Sequence, residues 1–343
     1  MTTAETLKRL DLFAHFSEQQ IGQLCGSAKQ ISHPAGARLV ARDEVSREIY
    51  LLTEGSLRVC AMTPFGDFEF TRLGRGDLFG EVNFIDEHGR MGEVQALTDV
   101  ELLVFSQSDL AALADLDPSF ERALYWCFWK SLSAKLRAAN MYLTRFFSPG
   151  VTAGSRTCTP SAAEAPTGNG GLDMAARRDL FREQRLPSME INFLSSLSSE
   201  EAYEPGATIF REGDAGDKMY VIAKGQVMIS KSVDGAGEEA LSFLGRGDYF
   251  GEMSLIDKQP RSADAKAHPE EGAVVLGLRH EVVEQILDID RLSSLRLLKI
   301  LCRLVSERLR KLNEKLLGWH LVSGGGVEPP APRVSDLSQR EAV

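Results

Sequence analysis

The sequence predicts an α+β protein that is mainly β and uses one domain twice. The first reason is an internal repeat: residues 73–81 read LGRGDLFGE and residues 244–252 read LGRGDYFGE, with eight of nine positions identical at an offset of 171. The second is the pattern of residues 203–229, where Pro-Gly and Gly-Asp turns separate short apolar-rich runs typical of strands. The third is a stretch with helical spacing of apolar residues after each copy.

Length and composition agree with two globular domains. The chain has 343 residues, of which 43% are hydrophobic and 26% are charged. No apolar run is long enough to span a membrane, and residues 1–16 lack the apolar core of a signal peptide. We therefore expect a cytoplasmic protein with no membrane partner.

The net charge of −10 and the sequence pI of about 5.3 argue against broad nucleic-acid binding. We therefore expect no DNA partner.

Cysteines and histidines give no catalytic or metal-binding pattern. The five cysteines are scattered and odd in number, which favours reduced side chains, and the six histidines are dispersed without metal-ligand spacing. No Ser-His-Asp or Cys-His arrangement is recognisable. The expectation is a protein without catalytic residues or a metal site.

Residues 244–265, LGRGDYFGEMSLIDKQPRSADA, contain the features of a phosphate-binding segment. Gly251 allows close approach to the backbone, and a short helix that starts there would offer unpaired N–H groups to an anion. Glu252 can accept hydrogen bonds from a sugar hydroxyl. Arg261 offers a permanently charged fork to two phosphate oxygens, while the small residues Ser262 and Ala263 leave room for backbone contacts.

This segment resembles the phosphate-binding cassette of cyclic-nucleotide-binding domains, because FGE, a spacer and PRSA form a restrictive combination. The resemblance covers residues 12–147 and 180–317, and it implies two jelly-roll β-barrels, each with flanking N- and C-terminal helices. It also implies that Arg261 clamps the cyclic phosphate and that Glu252 holds the ribose 2′-hydroxyl. The implied lining of the site is the backbone of Gly251, Met253, Ser254, Ser262 and Ala263.

The first copy keeps only part of this pattern. Gly80, Glu81 and Arg90 are retained, so the first domain has a possible second ligand site. However, it reads Gly-Arg-Met-Gly where the second copy reads Pro-Arg-Ser-Ala, and Met91 adds bulk where the backbone should approach the phosphate. The first cassette is therefore interpreted as degenerate, and ligand binding is expected mainly in the second domain.

Composition divides the chain further. Residues 1–147 form the first domain, which should end in a helix that begins at Pro118 after the N-cap residue Asp117 and ends near Phe147. Residues 148–172 are rich in Ser, Pro, Gly and Ala and predict a flexible linker. Residues 173–317 form the second domain, and residues 318–343 are expected to be a disordered tail.

The last helix of the second domain has an apolar heptad seam, with Asp290 as a possible cap. The seam consists of Leu295, Leu298, Cys302, Val305, Leu309, Leu312 and Leu316. It predicts a homodimer formed through this helix. The alternative is a helix that packs within its own chain, including against the first domain.

These features together predict a non-enzymatic cytoplasmic receptor for a cyclic mononucleotide. Binding would switch a helix or partner surface that an unknown protein effector recognises. Cyclic AMP is favoured over cyclic GMP, because a serine after the cassette arginine resembles bacterial receptors for cyclic AMP; Ser262 could also serve the guanine amino group. The alternative is a protein-interaction scaffold with vestigial nucleotide binding. The tail after residue 317 predicts no helix-turn-helix, so a transcription factor ranks low.

Overall fold

The computed structural model describes residues 3–147, 163–168, 170–186, 188–233, 237–288, 292–325 and 331–334. The chain divides into two compact units. The first comprises Met1–Leu143 and Leu298–Val343, and the second comprises Thr144–Leu297. Each unit contains one copy of the repeated domain.

In the first unit, two N-terminal helices precede the strands, a short helix interrupts the strands after β6, and two further helices follow β8. The helices are α1 (Thr3–Arg9), α2 (Glu18–Ser27), α3 (Glu81–Asp86), α4 (Gln107–Leu116) and α5 (Pro118–Phe147). The strands are β1 (Lys29–His33), β2 (Arg38–Val40), β3 (Ile49–Glu54), β4 (Leu57–Thr63), β5 (Gly66–Leu73), β6 (Leu78–Phe79), β7 (Glu93–Ala96) and β8 (Val100–Phe105).

The second copy of the domain repeats this series. Its helices are α6 (Met174–Glu183), α7 (Ser188–Leu197), α8 (Met253–Asp257) and α9 (His280–Asp288), followed by α10 (Leu292–Ser323), which continues into the first unit. Its strands are β9 (Ser199–Tyr203), β10 (Thr208–Phe210), β11 (Lys218–Gly225), β12 (Val227–Val233), β13 (Gly237–Leu244), β14 (Tyr249–Phe250), β15 (Asp264–Ala267) and β16 (Ala273–Arg279).

The two domains have the same sheet topology. The sheets are β1-β8-β3-β6 and β2-β7-β4-β5 in the first domain, and β9-β16-β11-β14 and β10-β15-β12-β13 in the second. The strand pairs within these sheets are antiparallel. The predicted fold class, mainly β with jelly-roll-like sheets and flanking helices, is confirmed.

A one-residue insertion accounts for the change of offset along the repeat. Tyr50 corresponds to Tyr220 at an offset of 170, whereas Gly80 corresponds to Gly251 at 171. Between these positions, two residues join β4 to β5 and three join β12 to β13. The extra residue therefore falls between β12 and β13 and leaves the correspondence of the strands themselves unchanged.

The long helix α5 follows the sequence prediction. It begins at Pro118, and Asp117 accepts a hydrogen bond from the backbone N–H of Ser119 at 2.9 Å. Its aromatic residues Phe120, Phe128 and Trp129 are fully buried. Core packing therefore explains the aromatic character of this helix.

The seam of α10 is buried within this chain, so the alternative arrangement is the one observed. From Leu298 onward the helix belongs to the first unit, where Cys302 Sγ lies 3.3 Å from the carbonyl oxygen of Tyr125 and Lys299 pairs with Glu121 at 2.7 Å. The seam residues Leu298, Cys302, Val305, Leu309, Leu312 and Leu316 are at most 4% exposed. The predicted second domain, residues 173–317, therefore includes the part of α10 that belongs to the first unit. The proposed cap Asp290 lies outside the described residues.

Part of the predicted linker is ordered against the second domain. Thr167 donates its backbone N–H to the carbonyl of Ala202 at 2.9 Å, and Ala202 donates to Gly168 at 3.0 Å. Glu164 donates its backbone N–H to Thr208 at 3.0 Å. These residues of the predicted linker are held by backbone hydrogen bonds, because exposed strand edges offer unpaired backbone groups that an extended segment can satisfy. Residues 148–162 and 169 lie outside the described residues.

Two parts of the predicted tail, residues 318–343, have a defined backbone structure. Residues 318–323 complete α10, and residues 331–334 lie parallel to β5. Arg72 donates its backbone N–H to Pro332 at 3.1 Å, and Val334 donates to Arg72 at 3.2 Å. Val334 is 6% exposed and is part of the first domain's core. Residues 326–330 and 335–343 lie outside the described residues.

The tail contact gives a stability prediction. We expect Val334→Asp to lower the free energy of unfolding by about 2 kcal/mol or more, because a charged group would replace a buried apolar one. Urea unfolding measures this. Val322→Asp is the matched control, since Val322 is 89% exposed on α10. Equal destabilisation by the two variants would contradict a packed tail.

Among the described residues, no helix has both the length and the apolar character needed to cross a membrane.

Candidate functional site

The arginine of the second cassette is held in place by backbone carbonyls. Arg261 donates from Nη1 to Gly251 and from Nη2 to Lys218, both at 2.7 Å. The residue is 4% exposed, and its Nε has no hydrogen-bond partner within the described part of the chain. A buried donor of a permanently charged group is thus available to an anion.

Aromatic rings support this arginine from the core side. The Arg261 guanidinium carbon lies 4.2 Å from the ring centroid of Phe210 and 5.9 Å from that of Tyr220, which stacks on Phe250 at 5.0 Å. Burial lowers the pKa of Arg261 from its ordinary value. The group keeps its charge at neutral pH, because an arginine pKa starts far above that range.

Gly251 is required by the position of this arginine. Its φ is +75°, and a Cβ atom at this residue would lie 2.6 Å from Arg261 Nη1 and 3.3 Å from the carbonyl oxygen of Lys218. Any side chain here would displace the guanidinium. The sequence predicts that this glycine serves the close approach of a ligand; the group that approaches it in this structure is Arg261 itself.

The remaining predicted residues surround the same turn. Glu252 is 2% exposed, and Met253, Ser254 and Ala263 are buried as well. The Ser262 hydroxyl, which we expected to face a phosphate, lies 3.6 Å from the sulfur of Met253.

The first cassette has the same construction. Arg90 is 4% exposed, donates from Nη2 to the carbonyl oxygen of Glu48 at 3.1 Å and lies 5.7 Å from the ring of Tyr50, which stacks on Phe79. Gly80 has a φ of +99°, and its Cβ would lie 2.9 Å from Arg90 Nη1. Arg90 Nε has no partner among the described residues, and burial lowers the pKa of this guanidinium.

The glutamate of the first cassette is fixed by helix α5. Glu81 is fully buried, and its Oε1 accepts hydrogen bonds from Ser131 at 3.0 Å and from Lys135. Lys135 also donates to the carbonyl oxygen of Leu78 at 2.7 Å. Glu81 Oε2 has no hydrogen-bond partner among the residues described. One carboxylate oxygen is thus anchored, and the other can accept from a ligand hydroxyl.

These groups surround a cavity of about 80 Å³ in the first domain. Its charged lining residues are Glu81, Arg90 and Lys135, so the lining carries one net positive charge. Met91, which we expected to obstruct the first site, forms part of the wall. The departure of this cassette from the second one therefore does not fill the cavity.

Neither cassette arginine forms an ion pair with a carboxylate in the described parts of the chain. Arg90 and Arg261 bond to backbone carbonyls, and Glu81 pairs with Lys135. A degenerate domain with its arginine and glutamate paired to each other is therefore not what the first copy contains. Within the same residues, no cluster of three or more His, Cys, Asp or Glu could hold a metal ion, and the four described cysteines are free.

Several residues of these sites were missed by sequence reasoning. The carbonyls of Glu48 and Lys218 leave no signal in a sequence, because any residue supplies a carbonyl. Lys135 does leave a signal in the sequence, because it lies beside Leu136 on a largely buried helix. An unpaired charge at such a position would be costly, so a buried partner is expected.

Comparisons with known proteins identify a family for both domains. A family model described as the cyclic nucleotide-binding domain matches residues 30–117 and 200–290. The chain is 32% identical over 287 residues to a cAMP-dependent protein kinase regulatory subunit of Colletotrichum orbiculare, covering 80% of this chain and 62% of that protein. It is 23% identical over 282 residues to the cGMP-dependent protein kinase egl-4 of Caenorhabditis elegans, covering 81% of this chain and 29% of the kinase.

The solved structures to which the chain is similar include one of the regulatory domain of Toxoplasma gondii PKA with cAMP. The identity is 18% and the TM-score is 0.31, with 83% of this chain and 90% of that chain covered. The chain spans less than two thirds of the length of both kinase-related relatives.

Proposed function

Because the chain belongs to the cyclic nucleotide-binding domain family and contains that domain twice, we propose that it is a receptor for a cyclic mononucleotide. The proposal places ligand in the second domain, with Arg261 on the cyclic phosphate and Glu252 on the ribose 2′-hydroxyl. The backbone of Gly251, Met253, Ser254, Ser262 and Ala263 would complete the site.

The observation that carries this proposal is the state of Arg261. Its guanidinium is already oriented by two carbonyls and two aromatic rings, and its Nε remains without a partner among the described residues. A preorganised buried cation gains most from an anion, because little side-chain entropy is lost on binding.

The ligand of the proposal is cyclic AMP, with cyclic GMP as the competitor. The serine after the cassette arginine favours the first. The relatives include a cAMP-dependent regulatory subunit and a cGMP-dependent kinase, so their names support both nucleotides. Separate titrations with the two nucleotides distinguish them.

The proposed role is signalling without catalysis, in the cytoplasm, through a protein effector. Ligand would change the surface that this effector recognises. A homodimer through α10 is not part of the proposal, because the seam that suggested it is covered by the first unit.

Calorimetric titration of the full chain with each nucleotide tests the proposal. We expect Arg261→Ala to weaken binding in the second domain at least about 100-fold, because charge-assisted hydrogen bonds to phosphate are lost. Arg246→Ala is the control: this arginine lies in the turn before β14, is 45% exposed and pairs with Glu183. Absence of heat with both nucleotides would contradict the receptor and favour the scaffold hypothesis.

A further inference from the structure

The C-terminal helix α10 contacts the turn that carries the arginine of the first cassette. Arg310, on this helix, donates from Nε and Nη2 to one carboxylate oxygen of Asp86 at 2.9 and 2.7 Å. Its Nη1 donates to the carbonyl oxygen of Gly89 at 3.2 Å. Asp86 is the last residue of α3, and Gly89 immediately precedes Arg90. One guanidinium therefore spans the turn from the end of the cassette helix to the cassette arginine.

This contact is largely shielded from water. The Asp86 side chain is 3% exposed, and the Arg310 side chain is 18% exposed. A charge-assisted pair in such a place is more strictly oriented than a surface pair, and the planar fork of an arginine can hold two acceptors at once. Removal of the arginine would leave a buried carboxylate without its guanidinium partner. The contact is thus suited to hold the turn in one conformation.

Other hydrogen bonds tie the two ends of this turn to the first domain. The second carboxylate oxygen of Asp86 accepts from the backbone N–H of His88 at 3.1 Å. The backbone N–H of Arg90 donates to the carbonyl oxygen of Glu44, also at 3.1 Å. Gly89 lies between these two bonds, and its carbonyl is held by the guanidinium from α10. The helix therefore acts on the residue that leads directly into the cassette arginine.

The second cassette restricts the same turn in a different way. Asp257 occupies the position of Asp86 at the offset of 171 and likewise accepts from a backbone N–H two residues on, at 3.0 Å. Pro260 occupies the position of Gly89. The ring of a proline fixes φ, whereas glycine has the greatest backbone freedom of any residue. The first cassette therefore lacks a constraint that the second has within the cassette, and Arg310 acts at that position.

We propose that Arg310 is a positioning residue for a nucleotide bound in the first domain. It does not line the cavity. By holding Asp86 and Gly89, it fixes the turn that carries Arg90 and supplies the constraint that proline supplies in the second cassette. A preorganised arginine loses little entropy when it meets a phosphate, so the affinity of the first site depends on this contact with α10. The inference rests on the proposed nucleotide-receptor function and extends it to the first domain.

The test measures the first site alone, in the full chain with Arg261→Ala, which removes the proposed second site. In calorimetric titration with cyclic AMP, we expect Arg310→Gln to weaken binding about ten-fold relative to this parent. Arg303→Gln is the matched control and should leave the affinity unchanged, because the Arg303 side chain is 69% exposed on the same helix and pairs with Glu307. In the Arg90→Ala chain, which keeps the second site, Arg310→Gln should not change binding.

A double-substitution cycle separates this contact from a general loss of stability. Asp86→Asn keeps one side-chain oxygen as an acceptor for the backbone and should weaken the first site by the same factor as Arg310→Gln. The two substitutions together should weaken it no further, because both remove the same contact. Leu316→Ala, in the buried seam of α10 and outside the cavity wall, should lower the unfolding temperature and leave the affinity nearly unchanged.

Three results would overturn the inference: unchanged affinity in Arg310→Gln, additive losses in the cycle, or a loss in Leu316→Ala as large as that in Arg310→Gln. Binding by the wild-type chain but not by the Arg261→Ala chain would also overturn it, because the first site would then take no nucleotide, and would leave the proposed function standing. Absence of binding by the wild-type chain would remove both.

Discussion

Lys135→Ala is expected to destabilise the first unit by about 3–5 kcal/mol, because it leaves the Glu81 carboxylate buried without its cation. The Glu81 side chain is fully buried and that of Lys135 is 9% exposed, so water cannot replace the lost partner. Ser131 would remain as a hydrogen-bond donor to Oε1. Urea unfolding monitored by tryptophan fluorescence is a suitable measurement, since Trp129 is buried on the same helix.

The matched control is Lys130→Ala, also on α5. Lys130 pairs with Asp11, whose side chain is 79% exposed, and such a surface pair contributes about 1 kcal/mol or less. Replacing both members of the buried pair, as Glu81→Leu with Lys135→Leu, should recover much of the stability lost in Lys135→Ala, because no charge is then left unpaired. Similar losses in Lys130→Ala and Lys135→Ala would show that the buried pair has no special role.

Gly251→Ala is expected to weaken nucleotide binding in the second domain by about 100-fold while the domain stays folded. A positive φ costs a non-glycine residue about 1–2 kcal/mol, and the added methyl group would in addition collide with the guanidinium of Arg261. The arginine must then leave the two carbonyls that orient it. Calorimetry with cyclic AMP measures the affinity, and thermal unfolding measures the cost to stability.

Gly206→Ala is the control that separates the cost of a positive φ from the collision of a methyl group with Arg261. Gly206 also has a positive φ, +79°, but a Cβ atom there would meet nothing within 4 Å. Its replacement should therefore lower stability by a similar backbone cost and leave binding intact. If Gly206→Ala reduced affinity as strongly as Gly251→Ala, general strain and not the position of Arg261 would explain the effect.

The cassettes could be predicted because their signals are local. Gly80 and Gly251 adopt backbone conformations that favour glycine, and Arg90 and Arg261 follow at a spacing that a short helix and turn dictate. The start of α5 at Pro118 could be predicted equally well, because an N-cap hydrogen bond joins residues that are neighbours in the sequence.

The segments that pack on each apolar surface could not be predicted in the same way. The heptad seam of α10 has the same pattern whether it is covered by another copy or by the same chain, so the sequence left both arrangements open. The structure places the seam residues from Leu298 onward in the first unit, and the ion pair between Arg310 and Asp86 joins residues 224 positions apart. The ion pair of Lys135 with Glu81 depends on the same long-range packing.

By itself the sequence determined the duplicated β domain and predicted the position of each cassette and the residues that form it, because turns, caps and short motifs are encoded by residues near one another. The tertiary structure alone decided that the C-terminal helix and residues 331–334 belong with the first domain, that residues 163–168 lie along the second, and that a cavity remains beside Met91. The physical reason is that an apolar seam or an open strand edge must be buried or paired, and this need is visible in the local sequence. Which segment buries or pairs it depends on contacts between residues far apart in the sequence.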